Sequence, residues 1–319
     1  SQTMTSKLDR LKRPIFVRLA LVPALLSALP LQALAGPTNI AQSPFTVDGG
    51  SPAKPNIMFI LDDSGSMART YMPDEVDSKM KGKYGYVSAQ CNGVYFDPNL
   101  DYDPPKKSDG SSYPDIAFDK ALDNGFDAGS GTINLGTNFK AYSTDNAQAA
   151  YYYKYSGTQI KDYVNTNSEF FKECISGIGS KPTGALPGSN FFTKVVVGAA
   201  EQKKFANWYS YYRTRMLTMK SGAGAAFAKL DDSMRVGFST INYTGTDTAN
   251  AEFLHIADFT QAHKDIFFKK FYEITPGDTT PLRQALSKAG RIFGGKFGAG
   301  DPLKDPLQYW CQRNYAILS

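Results

Sequence analysis

Apolar residues recur along the chain with two distinct periods. A continuous apolar run at 56–61, bounded by Pro55 and by acidic residues, predicts a strand buried on both faces. Further strands are expected at 235–242, 253–257 and 315–319. Helical spacing predicts helices at 205–230, 261–274 and 282–293. This alternation predicts an α/β domain with a central, mostly parallel sheet and helices on both faces.

A long polar stretch without either period separates the first predicted strand from the first predicted helix. It covers about 130 residues, from roughly 70 to 200, and is rich in Tyr, Asn, Gly, Ser and Asp. Twelve of the 19 tyrosines lie between Tyr71 and Tyr163. We expect a loop-rich insertion with short strands, whose tyrosines either pack a small subdomain or recognise partners.

The first 35 residues have the layout of a secretory signal. Basic residues up to Arg18 precede an apolar run at 19–31, and the small residues Ala33 and Ala35 predict cleavage after Ala35. A membrane anchor is the competing interpretation, but a spanning helix needs ~20 apolar residues. Residues 36–55, rich in Pro, Gly, Ser and Thr, predict a linker before a domain at 56–319. We therefore expect an exported protein.

Charge and cysteine content exclude two classes of function. The net charge of +5 comes mostly from the signal, so the remaining chain is close to neutral and lacks the basic footprint of a nucleic-acid-binding protein. Two histidines, and the absence of CxxC and HExxH motifs, argue against zinc. The three cysteines, Cys91, Cys174 and Cys311, leave one unpaired or paired elsewhere, and the sequence does not say which.

Oxygen-bearing side chains follow the first predicted strand. Asp62, Ser64 and Ser66 are spaced two residues apart, at the carboxyl end of a strand where ligands bind in open α/β sheets. One carboxylate with hydroxyls suits a hard divalent cation, Mg²⁺ foremost, with Mn²⁺ or Ca²⁺ as alternatives. The competing interpretation is a loop that only caps a helix N-terminus.

This Asp-x-Ser-x-Ser pattern resembles the metal-ion-dependent adhesion site of von Willebrand factor A domains. The resemblance implies a threonine ligand from a later loop, which Thr279 matches, with Thr280 as the neighbouring alternative. Both threonines could instead cap the helix that Pro281 opens. The resemblance also implies an aspartate after the last predicted strand, where the sequence stops, so we expect the chain to be a fragment.

Three further stretches are distinctive in their aromatic residues and prolines. They are 91–99 (CNGVYFDPN) running on to 102–105 (YDPP), 205–217 (FANWYSYYRTRML) and 311–318 (CQRNYAIL). Together with the signal and the metal motif, they resemble the PilY1/PilC-type family of type IV pilus biogenesis and tip adhesin proteins. The resemblance implies a place in the periplasm, outer membrane or cell surface at the pilus tip. It also implies minor pilins as partners and roles in pilus assembly, surface attachment and surface sensing.

Two functions compete on this basis. In the first, Ser64, Ser66 and Thr279 hold the cation, and Asp62 binds it directly or through water. A carboxylate presented by a host-cell or abiotic surface ligand completes the coordination. In the alternative, the metal only stabilises the fold and the insertion binds minor pilins. Catalysis is not expected, because the sequence offers no histidine base, nucleophile elbow or second metal cluster.

Overall fold

The computed structural model of the protein describes residues 53–74, 82–156, 161–165, 168–171, 174, 191–277, 279–296 and 306–319. The predicted signal and nearly all of the predicted linker lie outside these residues. The strands are β1 (Asn56–Leu61), β2 (Ala121–Leu122), β3 (Thr132–Ile133), β4 (Tyr151–Tyr155), β5 (Lys161–Asn165), β6 (Ser168–Phe171), β7 (Phe192–Val196), β8 (Arg235–Thr240), β9 (Phe253–Asp258) and β10 (Asn314–Leu318). The helices are α1 (Gln202–Tyr211), α2 (Arg215–Ala228), α3 (Gln261–Glu273) and α4 (Leu282–Phe293).

The central sheet contains four strands in the order β10-β1-β8-β9. Strand β1 pairs in parallel with both β8 and β10, whereas β9 runs antiparallel to β8. The sheet is therefore mixed, and the expected α/β class is confirmed at that level. All four strands lie where the apolar pattern predicted them.

Strand β1 is buried because helices cover both faces of the sheet. Phe59 and Leu61 pack with residues of α2 and α3, whereas Met58 and Ile60 pack with residues of α4. All four side chains are at most 2% exposed. Since successive strand residues point to opposite faces, only a continuous apolar run satisfies both layers.

The single helix predicted at 205–230 is wrong, because the chain breaks between α1 and α2. The Thr214 side chain accepts a hydrogen bond from the Leu217 amide at 3.1 Å, which caps the start of α2. The Thr218 hydroxyl donates to the Tyr212 carbonyl at 2.6 Å, a group at the end of α1. Apolar residues continue across the break, so their spacing alone could not reveal it.

Replacing Thr214 by alanine should lower the free energy of unfolding by about 1 kcal/mol, because the cap at the start of α2 is lost. Denaturant unfolding measures this change. Thr214→Ser keeps the hydroxyl and is the matched control, which should stay close to the native protein. An alanine variant as stable as the serine variant would show that the break does not depend on this cap.

The segment between β1 and α1 is loop-rich, as expected of the insertion. Within its described residues, short strands form the pairs β2–β3, β4–β7 and β5–β6, and the only helical turns are short 3-10 segments. A disulfide joins Cys91 to Cys174, whereas Cys311 is free and exposed. The cysteine pairing that the sequence left open is thereby settled in the structure.

The insertion and α1 pack together around one aromatic core. Phe205 and Trp208 of α1 are at most 3% exposed and belong to the same cluster as the buried insertion residues. Among the insertion residues whose burial the structure describes, the buried tyrosines are Tyr71, Tyr86, Tyr95, Tyr151, Tyr152 and Tyr153. These six tyrosines therefore pack a core together with the aromatic residues of α1.

The α-helices in the described part of the chain are 10, 14, 13 and 12 residues long. None of them is long and apolar enough to cross a bilayer.

Candidate functional site

The predicted metal loop leaves the sheet directly after β1. The Ser64 amide donates to Asp62 Oδ1 at 2.8 Å, which fixes the Asp62 carboxylate over the turn. The hydroxyl oxygens of Ser64 and Ser66 lie 2.9 Å apart. The structure thus brings the three residues of the Asp-x-Ser-x-Ser motif together at the carboxyl end of a parallel strand.

The described hydrogen bonds of this loop include no side-chain cap of the kind that the competing interpretation expects. A short 3-10 turn, Gly65–Ala68, follows Ser64, and within the described residues the Ser64 side chain makes no capping bond to it. Helix α4 likewise begins after Pro281 without a side-chain cap from the described residues. The hydroxyls of Ser64 and Thr279 are therefore directed to other groups than the helix ends.

Thr279 is connected to the same edge of the sheet by hydrogen bonds through Asn242. The Thr279 hydroxyl donates to Asn242 Oδ1 at 2.9 Å. Asn242 Nδ2 in turn donates to the Thr279 carbonyl at 2.8 Å and to Asp63 Oδ1 at 2.8 Å. The Gly277 amide also donates to the Asp63 carbonyl at 3.0 Å. The loop before α4 is therefore attached to the metal loop.

Thr280, the neighbouring alternative, has a different role. Its carbonyl accepts the Leu282 amide at 3.0 Å, at the start of α4. Thr279 is consequently the threonine whose side chain is hydrogen-bonded, through Asn242, to the metal loop. Asp278, which precedes it, lies outside the described residues.

Three residues that the sequence did not predict also organise this edge. Asn242 follows β8, Asp63 follows Asp62, and Ser319 ends the chain next to β10. The Ser319 hydroxyl accepts the Asp62 amide at 3.1 Å, and the Ser319 amide donates to the Ile60 carbonyl at 3.0 Å. Polar residues at the carboxyl ends of neighbouring parallel strands are the signal that could have identified them.

The site is buried at its base and open at its rim. Asp63 and Ser64 are 2% and 1% exposed, whereas Asp62 and Ser66 are partly exposed and Thr279 is exposed. The buried Asp63 carboxylate is satisfied by Asn242, which donates from its backbone and its side chain. A ligand from solvent therefore has access on the side of Ser66 and Thr279.

The donor set fits a hard divalent cation. The 2.9 Å between the Ser64 and Ser66 oxygens is close to the ~3 Å that separates neighbouring ligands of an octahedral ion with bonds of ~2.1 Å. Because the Thr279 hydroxyl gives its proton to Asn242, its lone pairs remain for a cation. The described residues contain no cluster of three or more His, Cys, Asp or Glu side chains, so hydroxyls would have to supply ligands beside the Asp62 carboxylate.

Comparison with known proteins gives the family relationship. No protein-family model and no solved structure matches the chain. The chain is 33% identical over 300 residues to the type IV pilus biogenesis factor PilY1 of Pseudomonas aeruginosa strain PAK. It is 32% identical over 311 residues to the PilY1 of strain PAO1, and 30% over 300 residues to that of strain UCBPP-PA14.

These alignments cover 88% of this chain and 24% of each relative. The chain thus spans about a quarter of the length of the curated relatives that it matches. The matched part includes most of the stretches on which the resemblance was based, because little of the chain is left out. The relationship of this chain to the PilY1-type type IV pilus biogenesis factors is thereby confirmed.

Proposed function

We propose that this chain carries a von Willebrand factor A-type domain with a metal-ion-dependent adhesion site, and that it serves type IV pilus assembly and tip-associated adhesion. The observation that carries the proposal is the hydrogen-bonded connection from the Asp62–Ser64–Ser66 loop through Asp63 and Asn242 to Thr279. It lies where the parallel strands β1 and β8 end. The names of the PilY1 relatives support the pilus role.

The fold supports the same proposal. Strand β1 lies between two parallel neighbours, and helices cover both faces of the sheet. In the proposed organisation a signal at 1–35 and a linker at 36–55 precede the domain at 56–319, with the insertion at about 70–200. The protein is then exported and acts in the periplasm, the outer membrane or at the cell surface.

Each residue has a defined task in this mechanism. Ser64, Ser66 and Thr279 hold Mg²⁺, or Mn²⁺ or Ca²⁺ in its place, and Asp62 binds the ion directly or through water. A cation here supplies the positive charge that attracts a partner's carboxylate, presented by a host-cell or abiotic surface. Asn242 orients the Thr279 hydroxyl, and the exposed rim lets the partner approach.

Binding of the purified full-length protein to a carboxylate-coated surface tests the proposal. A hydroxyl-coated surface is the matched control, and both are measured in Mg²⁺ and in EDTA. We expect retention on the carboxylate surface that needs Mg²⁺ and returns when Mg²⁺ is restored. Equal retention with Mg²⁺ and with EDTA would overturn the adhesion mechanism.

Replacing Asn242 by alanine should weaken cation binding by ~10–100-fold, the usual cost of losing a residue that orients a ligand. The change removes the link between Asp63 and Thr279 but leaves all four predicted ligands. Isothermal titration with Mn²⁺ measures the affinity. Asn250→Ala is the control, because the Asn250 side chain accepts only a local amide, that of Glu252, in its described hydrogen bonds. Equal affinities in both variants would show that Asn242 does not position Thr279.

The structural alternative also has an observation in its favour. Within the described insertion, Leu100 and Val196 are 55% and 56% exposed, so apolar contact points for a minor pilin exist besides the buried tyrosines. Deleting the insertion would remove the packing partners of α1, so substitutions at its surface are the sharper test. If Leu100→Asp and Val196→Asp abolish pilus incorporation, while loss of Asp62 and Ser64 leaves attachment intact, the alternative holds.

A further inference from the structure

A cavity lies between the insertion, α1 and the segment that follows the metal loop. Its volume is about 370 Å³, which lies within the range of small-molecule sites. Three parts of the chain line it: 68–71, 139–143 and 208–213, together with two tyrosines of the insertion. None of the Asp62, Ser64, Ser66 or Thr279 side chains is among the lining residues. We call it the aromatic pocket.

The walls of the aromatic pocket are rings held in fixed positions. The Trp208 indole nitrogen donates to the Val94 carbonyl at 3.0 Å, and the Tyr95 hydroxyl donates to the Tyr151 carbonyl at 2.8 Å. The rings of Tyr95 and Trp208 pack with centroids 5.0 Å apart, and Tyr86 contacts Tyr142 edge to face at 6.0 Å. A ligand would therefore meet preorganised apolar faces, at little cost in side-chain entropy.

The charges that line the aromatic pocket have one sign. Arg69, Lys140 and Arg213 are among its fourteen lining residues, all within the described part of the chain, and none of the fourteen is acidic. Arg69 is paired at the surface with Asp74, 3.2 Å away. Lys140 is exposed and lies at the rim. The pocket therefore favours an anion.

Arg213 has the least exposed side chain of the three cations, at 19% against 40% for Arg69, while Lys140 is exposed. Its guanidinium stacks on the Tyr209 ring, 3.9 Å from the centroid, and its Nη1 donates to the Tyr209 carbonyl at 2.8 Å. Its Nη2 is 3.6 Å from Asp123 Oδ1, beyond hydrogen-bond distance, and that carboxylate is 53% exposed. Burial lowers the pKa of the Arg213 guanidinium. A carboxylate in the pocket could form the paired hydrogen bonds that Asp123 does not.

We propose that the aromatic pocket binds a small carboxylate that carries a six-membered sugar ring, so that sugar acids are its ligand class. The carboxylate lies against Arg213 with Lys140 at the rim, and the ring packs on the tyrosine and tryptophan faces. The hydroxyls of Thr70 and Tyr86, 2.9 Å apart, and the exposed Ser143 provide partners for sugar hydroxyls. This site needs no divalent cation and stands independently of the proposed metal site.

Isothermal titration of the full-length protein tests the proposal with three probes: D-glucuronate, benzoate and D-glucose. We expect glucuronate to bind with a Kd of ~1 mM or tighter, benzoate more weakly, and neutral glucose not measurably at ~10 mM. EDTA should leave glucuronate binding unchanged, which separates this pocket from the metal site. Benzoate tighter than glucuronate would assign the pocket to aromatic acids instead.

Two variants locate the binding. Arg213→Gln should weaken glucuronate at least about tenfold, because a charge-assisted pair is lost. Lys203→Gln, at the start of α1 and paired at the surface with Asp115, should bind as the native protein does. If thermal melting shows that Arg213→Gln does not fold, Lys140→Gln at the exposed rim takes its place in the test. Its affinity for glucuronate is expected to be about threefold weaker than that of the native protein. The proposal would be overturned by native-like affinity in folded Arg213→Gln, or in Lys140→Gln where it replaces that variant. Loss of binding in EDTA, or no glucuronate binding by the native protein, would overturn it as well.

Discussion

Replacing Asp62 and Ser64 together with alanine is expected to abolish cation-dependent attachment. The change removes the carboxylate and one of the two paired hydroxyls of the metal loop. Since loss of a single outer residue costs ~10–100-fold in metal affinity, losing two ligands should cost more than about 100-fold. Attachment of the purified full-length protein to the carboxylate surface measures the effect, and pilus counts on cells that carry the variant separate assembly from adhesion.

The chain offers a matched control for this experiment. Asp231 and Ser233 form the same kind of turn, in which Asp231 Oδ1 accepts the Ser233 amide at 3.0 Å. Both lie in an exposed loop before β8, away from the carboxyl edge of the sheet. Asp231→Ala with Ser233→Ala should attach normally. If both double variants attached as well as the native protein, the metal loop would have no part in adhesion.

Removing the disulfide should have the largest effect on stability. Cys91 and Cys174 are 83 residues apart, and a cross-link over such a span stabilises a fold by about 4 kcal/mol through the unfolded state. Cys91→Ser with Cys174→Ser should therefore lower the free energy of unfolding by about that amount, measured by denaturant unfolding under oxidising conditions. The insertion core is expected to loosen first, because Cys91 and Cys174 are both buried within it.

Cys311→Ser is the control for the disulfide variant. Cys311 is exposed and free, so its replacement should change the free energy of unfolding by less than about 0.5 kcal/mol. Cation binding should survive in both variants, because the metal loop rests on β1 and β8 rather than on the insertion core. A disulfide variant as stable as Cys311→Ser would show that the cross-link adds nothing to the fold.

The sequence predicts the central sheet well because its strands satisfy one simple rule. Strand β1 is apolar from Ile57 to Leu61, since helices cover both faces, and its bounds agree with the run predicted at 56–61. The helices α3 and α4 also lie within one residue of the predicted 261–274 and 282–293. The break between α1 and α2 was missed, because Thr214 interrupts the helix through a local hydrogen bond and not through a change in apolar spacing.

The candidate site also has one part that the sequence predicts and another that it does not. Asp62, Ser64 and Ser66 are close in sequence, so their spacing and their place after a strand were enough to predict that they lie together. Asn242 contacts Asp63 across 179 residues, and that contact depends on the parallel pairing of β1 with β8. No local pattern encodes such a pairing. The pairing of Cys91 with Cys174 was open for the same reason.

The central claim is that a divalent cation binds at the end of β1. The most direct test is a Mn²⁺ titration of the full-length protein, followed by electron paramagnetic resonance, beside the Asp62→Ala, Ser64→Ala variant. The account predicts that the native protein binds one more Mn²⁺ per chain than the variant, and that Mg²⁺ displaces this ion. Equal numbers of bound Mn²⁺ in the two proteins would contradict it.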